Sequence, residues 1–122
     1  MEFSLDNGSG TYQLKAYDNG YFKVNDQTYN SSILIAPEYL MAPWRPSHFE
    51  ALLASDFEGM LAFDPQVVLL GTGKTLRFPH PQIFSLLIEH KIGFEVMNTA
   101  AACRTYTVLM AEGRRVVCGL LP

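Results

Sequence analysis

"VVLLGTGKTLRFPHPQIFSLLIEHKIGFEVM", Val67 to Met97, decides the fold. Val67 to Leu70 is short and wholly apolar, the pattern of a strand covered on both faces. Pro81 opens "PQIFSLLIEHKIG", which reads as a helix with proline in its first turn and Gly93 past its end. Phe94 to Met97 reads as a second strand. Downstream, Asn98 or Thr99 caps a helix over "AAACRTYTVLMAEG", closed by Gly113, and Arg115 to Leu121 is a last strand. Strand, helix, strand, helix, strand implies an α/β core whose first crossover is parallel and right-handed.

Upstream, "YQLKAYDNGYFKVNDQTYNSSILIAP" reads as a β-meander. Asp18-Asn19-Gly20 and Asn25-Asp26 are turn formers between short runs, and Tyr12, Leu14 and Ala16 share one face at the two-residue strand period. Ile33 to Ala36 is stopped by Pro37. "PEYLMAPWRP" holds three of the seven prolines and the only tryptophan, and is expected to be a connection. In "SHFEALLAS", Ser47 and Glu50 match a capping box, with Phe49, Leu52 and Leu53 on one helical face. The meander must extend or cover one side of the α/β core. The expected organisation is a loose N-terminus over 1–10 and a single α/β domain over 11–122.

The 122 residues suit one domain that needs neither disulfide nor metal to fold. At 48% hydrophobic and 17% charged, the chain is too apolar for disorder. No run reaches the roughly 20 apolar residues of a membrane span. The first residues lack a basic stretch before an apolar one, so no signal peptide is expected and the default compartment is the cytosol. Cys103 and Cys118 fall in separate elements and are expected as free core thiols. A net charge of −3 argues against nucleic acid. Residues 71–122 nevertheless carry six bases against three acids, while 1–70 carry three bases against nine acids.

"GTGKT" has the look of a phosphate-binding loop, and the spacing rejects it. The pattern G-x-x-x-x-G-K-[ST] requires glycine at position 68, which is Val68, and Pro79 and Pro81 stand where the helix should begin. A G-x-G-x-x-G loop fails at Leu76. The loop still falls at the end of a sheet strand, where such folds place ligand crevices. Gly71, Thr72, Gly73, Lys74, Thr99, Arg104 and Tyr106 are the candidate crevice residues, fit for a small anion or acidic peptide.

His48, His80 and His90 share no ligand spacing, and no C-x-x-C occurs, so no metal site is expected. No complete catalytic set is seen. The helix over 81–91 is apolar nearly all round, which makes Ile83, Phe84, Leu87 and Ile88 a candidate interaction patch. Strand alternation is expected to send Arg114 and Arg115 of "EGRRV" to opposite faces, so that at most one serves any single site.

Taken together, "VVLLGTG", "FEVMNTAAACRTYTVLMAEGRRVVCGLL" and the lone Trp44 resemble one small family. It includes human mitochondrial complex I assembly factor 3, the human adipogenesis-associated domain protein and many short bacterial proteins of unknown function. The resemblance covers about residues 10–122. It implies three layers, with a mixed central sheet, helices and an added β-layer from the meander. It also implies no established enzymatic activity, no cofactor and binding to an unidentified protein partner. The family usually has Asn after Arg-Thr-Tyr, where this chain has Thr107. Without a mitochondrial presequence, a bacterial cytoplasmic member is expected. The leading expectation is a non-enzymatic interaction protein of assembly-factor or chaperone-like type. The alternative is a small-molecule or anion binder, or an enzyme of unassigned chemistry, using the Gly71–Gly73 crevice.

Overall fold

The computed structural model describes residues 11–122, so the expected loose terminus over 1–10 lies outside the described residues. The α/β core is as the apolar runs require. Strand β6 (Val67–Gly71) is buried along its whole length and pairs in parallel with β7 (Gly93–Met97) on one side and β8 (Val116–Leu120) on the other. Helix α3 (Thr99–Ala111) connects β7 to β8. Strand β4 (Ile33–Ala36) joins β8 antiparallel, with β5 (Tyr39–Met41) outside it, giving a mixed sheet in the order β5-β4-β8-β6-β7. Strands β1 (Leu14–Asp18), β2 (Tyr21–Val24) and β3 (Gln27–Tyr29) form a separate antiparallel sheet.

The period-2 alternation of the central strands sorts the core into two halves. Val67, Leu69, Val116, Cys118 and Leu120 pack with Ala102 and Tyr106 of α3 and with Leu14, Phe22 and Val24 of the meander sheet. Val68, Leu70 and Val117 face the other way, onto Trp44, Leu52, Phe57, Met60 and Leu87. The meander therefore covers the α3 side as its own layer, and three layers result.

Several local expectations change. Tyr12, Leu14 and Ala16 do not share a face. The β1–β2 register shifts between Leu14 and Ala16, so Leu14 is buried and Ala16 exposed. "PEYLMAPWRP" is not merely a connection. Three residues between Pro37 and Pro43 suffice for edge strand β5, where a missing N–H costs no ladder bond. The capping box does not form. Ser47 Oγ bonds His48 Nδ1, Glu50 turns to Arg77, and only a 3₁₀ turn (Phe49–Ala51) results. Leu53 is exposed instead of sharing the buried face of Leu52. A short helix α1 (Ser55–Glu58) and a second 3₁₀ segment (Gly59–Phe63) follow. The expected helix over 81–91 is a 3₁₀ turn (Pro81–Phe84) and a short α2 (Ser85–Glu89), interrupted at Phe84, whose ring stacks on Phe94 at 4.4 Å.

Trp44 governs the second half of the core. Its N–H donates to Ser32 O at 2.9 Å, and Ser32 Oγ donates to Trp44 O at 2.8 Å, which clamps it to the start of β4. Its six-membered ring packs against Gly119 in the middle of the sheet. A Cβ on Gly119 would stand 2.4 Å from Trp44 Cη2. From there aromatic contacts run Trp44–Phe57–Phe94–Phe84, edge-on twice and then stacked.

Gly119→Ala is expected to destabilise the fold by about 3 kcal/mol, through displacement of the indole. A calorimetric melting temperature lower by roughly 10 °C would agree. An unchanged one would show that the ring has room to shift.

Candidate functional site

The Gly71–Gly73 turn sits where β6 leaves the sheet, and most of its polar groups are engaged within the chain. Thr72 N–H donates to Met97 O (3.0 Å) and Leu121 N–H to Gly71 O (3.0 Å). Gly73 N–H donates to Thr99 Oγ1 at 2.7 Å, and Thr99 N–H returns the bond to Gly73 O at 2.9 Å. The same Thr99 hydroxyl donates to Leu121 O at 2.6 Å. Thr72 Oγ1 donates to Thr75 O and accepts from Arg77 N–H. Gly71 is glycine because a Cβ would come within 2.9 Å of both Thr99 Oγ1 and Leu120 Cδ2. Gly73 takes φ +103°, open to glycine at little cost. An anion-binding nest needs free amides pointing outward. Here the Thr72, Gly73 and Thr99 amides point at carbonyls or a hydroxyl of the same chain.

The seven crevice candidates separate in space. Thr99 and Tyr106 are fully buried, and Tyr106 Oη donates across the layer to Tyr12 O at 2.9 Å. Desolvation pushes the Tyr106 phenol well above its ordinary pKa. Arg104 opens on a different hollow, between α3 and β1, beside Lys15, Tyr17 and Val108. Asn98, not Thr99, supplies the side-chain cap of α3, accepting from Ala101 N–H at 2.9 Å. Thr107 bonds back to Cys103 O at 3.0 Å, so its hydroxyl is satisfied within its own helix.

What remains at the turn is a shallow hollow of about 280 Å³ with Phe49, Glu50, Thr72, Gly73, Lys74 and Arg77 on its walls. Sequence reading missed its central feature. The Arg77 guanidinium lies 4.1 Å above the Phe49 ring and bonds Glu50 Oε2 at 2.7 Å, holding the Glu50 carboxyl below its ordinary pKa. The partners are 27 residues apart in sequence, and no local pattern links them. Another missed pair is Arg45 with Asp56, a two-pronged contact at 2.5 and 2.7 Å that also caps Leu53 N–H.

In the proposed patch, Leu87 is fully buried, Ile83 and Phe84 are half-buried, and Ile88 is 57% exposed. The helix is apolar all round largely because it fills the core. Arg114 and Arg115 both line a roomier hollow of about 650 Å³, beside Tyr39, Phe63 and Val117. The strand begins only at Val116, so alternation does not separate them. Beside that hollow the β4–β8 ladder stops at Ile35–Cys118. In the same register Pro37 would next face Val116 and has no N–H to give. Arg115 donates to Asp64 O at 2.7 Å.

Both cysteines are free and buried. Desolvation raises the Cys103 thiol to about 12 and the Cys118 thiol well above its ordinary value, so neither presents a thiolate near neutrality. Among the described residues no group of three His, Cys, Asp or Glu could hold a metal ion, and no helix is long and apolar enough to cross a membrane.

Residues 14–121 match the family described as "Protein of unknown function (DUF498/DUF598)". A crystal structure of a protein from Bordetella parapertussis superposes with a TM-score of 0.87 at 37% identity, covering 95% of this chain and 99% of that one. The "13 kDa major membrane protein" of Francisella tularensis is 28% identical over 86% of each chain. A complex I relative, "NADH dehydrogenase [ubiquinone] 1 alpha subcomplex assembly factor 3" of Drosophila melanogaster, is 28% identical over 84% of this chain. The chain spans 57% of the length of that fly protein.

Thr99→Val keeps the shape and removes the hydroxyl, leaving Gly73 N–H and Leu121 C=O buried without partners. Urea unfolding should show a loss of about 2–4 kcal/mol. Thr99→Ser keeps the oxygen and should lose only about 1 kcal/mol. Equal losses for the two would mean the methyl, not the hydroxyl, matters.

Proposed function

The chain belongs to the DUF498/DUF598 family, and from that premise we propose that it is a non-enzymatic protein-interaction domain of assembly-factor type, working in the bacterial cytoplasm. The observation that carries the reading is the match to complex I assembly factor 3 over most of this chain. Its match to a sequence longer than itself gives the shared domain, so the partner and process of the fly protein do not come with it. The closure of the Gly71–Gly73 turn on itself supports the same reading, because it leaves no outward amides for a phosphate or carboxylate. Within the candidate patch, Ile88 is the side chain that reaches solvent and the natural first contact for a partner. The patch residues Leu87, Phe84 and Ile83 then act from behind, by holding α2 in place.

Tagged full-length chain, used to capture proteins from extracts of the cells that make it, should enrich a partner at near-physiological salt and lose it in Ile88→Asp. Ile88→Asp alters only an exposed side chain and should melt at the wild-type temperature. Identical capture by the wild type and an unrelated bait would contradict the reading. So would a ligand among phosphates, nucleotides and carboxylates that stabilises the fold by about 2.7 kcal/mol at 100 times Kd and fails to do so in Lys74→Ala.

A further inference from the structure

The segment after the closed turn is unusual. Lys74 to Phe78 are all exposed, and among the described residues Phe78 at 74% is the most exposed of the large apolar side chains, with Leu76 at 45%. Exposed apolar side chains mark a contact surface only where they stand together, and Leu76 and Phe78 lie two residues apart. Here the presentation is built in. Phe78 and His80 each precede a proline, which biases both to extended backbone, and Pro79 itself is buried as the anchor. Arg77 is itself exposed but held in place, stacked on Phe49 and bonded to Glu50, and its own N–H is bonded to Thr72 Oγ1. With Arg77 held at this spot on the surface, Leu76 and Phe78 on either side of it stay exposed. The Arg77–Phe49–Glu50 cluster, which no catalytic role explains, thus acts as the clamp of an apolar tip.

The composition around the tip selects what it meets. From Gly71 to Ile88 the chain contains Lys74, Arg77 and His80 and no acid, and of these Arg77 is already paired with Glu50, so the attraction to anionic headgroups rests mainly on Lys74. Among the described residues the other exposed large apolar side chains, Tyr21, Met41, Leu53, Ile88 and Val108, lie in other parts of the chain. Two side chains fall well short of the roughly 800 Å² per partner of a specific protein–protein interface. A bilayer surface has no such threshold, since each apolar side chain inserts on its own account and each nearby cation adds attraction to anionic headgroups. A clamped tip also loses little conformational freedom on insertion.

We propose that the Lys74–Phe78 loop is a peripheral membrane-docking tip, with Leu76 and Phe78 entering the acyl boundary and Lys74 lying among anionic phospholipid headgroups.

Co-sedimentation with vesicles of phosphatidylcholine, with and without phosphatidylglycerol, tests this. The wild-type chain should pellet with the phosphatidylglycerol vesicles. The double variant Leu76→Ser, Phe78→Ser should partition at least about tenfold less, at an unchanged melting temperature, because both side chains are exposed. Lys74→Ala should weaken binding about fivefold on the anionic vesicles only. A wild type that stays in the supernatant with both vesicle types would overturn the proposal, as would a double variant that binds equally well. Concentration-dependent self-association that the double variant abolishes, without vesicle binding by the wild type, would assign the tip to a second copy of the chain and overturn it likewise.

Discussion

The hydroxyl of Thr99 is the pin on which this fold closes. It is fully buried, accepts from Gly73 N–H and donates to Leu121 O. One side chain thereby joins the end of β6, the start of α3 and the end of β8. Burying an unpaired hydroxyl, amide and carbonyl together would cost several kcal/mol, and satisfying all three with two short bonds removes that cost. Gly71 is forced by the same closeness, since any side chain there would strike Thr99. Of the two glycines of the turn, Gly71 is therefore a product of packing, and Gly73 of its positive φ. A buried strand has been brought hard against a helix start, and the chain leaves through the only residue types that fit.

On the opposite face the same logic repeats with Trp44 and Gly119. An indole ring packs against a central strand, and a row of aromatic rings continues from it to Phe84. The two cores are built from alternate residues of the same strands, so disturbing one strand is felt in both. This leaves little interior free for chemistry. The thiols are desolvated and the buried tyrosine is spent on a carbonyl of another layer. Distinctive groups that stay accessible, such as Ile88, Lys74, Leu76 and Phe78, are surface groups suited to contact. That distribution is consistent with a chain whose relatives carry the name of an assembly factor.

Much of the core was legible because its signals are local. The apolar run Val67–Leu70, the short strand at Phe94 and the Asn98-capped helix each announce themselves within a dozen residues, and the structure keeps all three. The failures are tertiary. The one-residue shift in β1 turns Ala16 outward and carries no sequence mark. Ser47 and Glu50 satisfy a capping pattern, but Arg77 outbids the helix for the Glu50 carboxylate. Strand β5 survives between prolines because it is an edge. The candidate crevice gathered residues by their position in the chain, and three-dimensional packing sends Arg104 to one hollow, Lys74 to another and Tyr106 into the core.

Amide hydrogen exchange at Gly73 tests the closed turn most directly. If the turn is a structural corner, this amide exchanges only as the whole domain unfolds, as slowly as those of β6, while the amide of Thr75 nearby exchanges fast. Exchange of Gly73 at the rate of Thr75 would show that the turn opens on its own, and the account of it as a corner would be wrong.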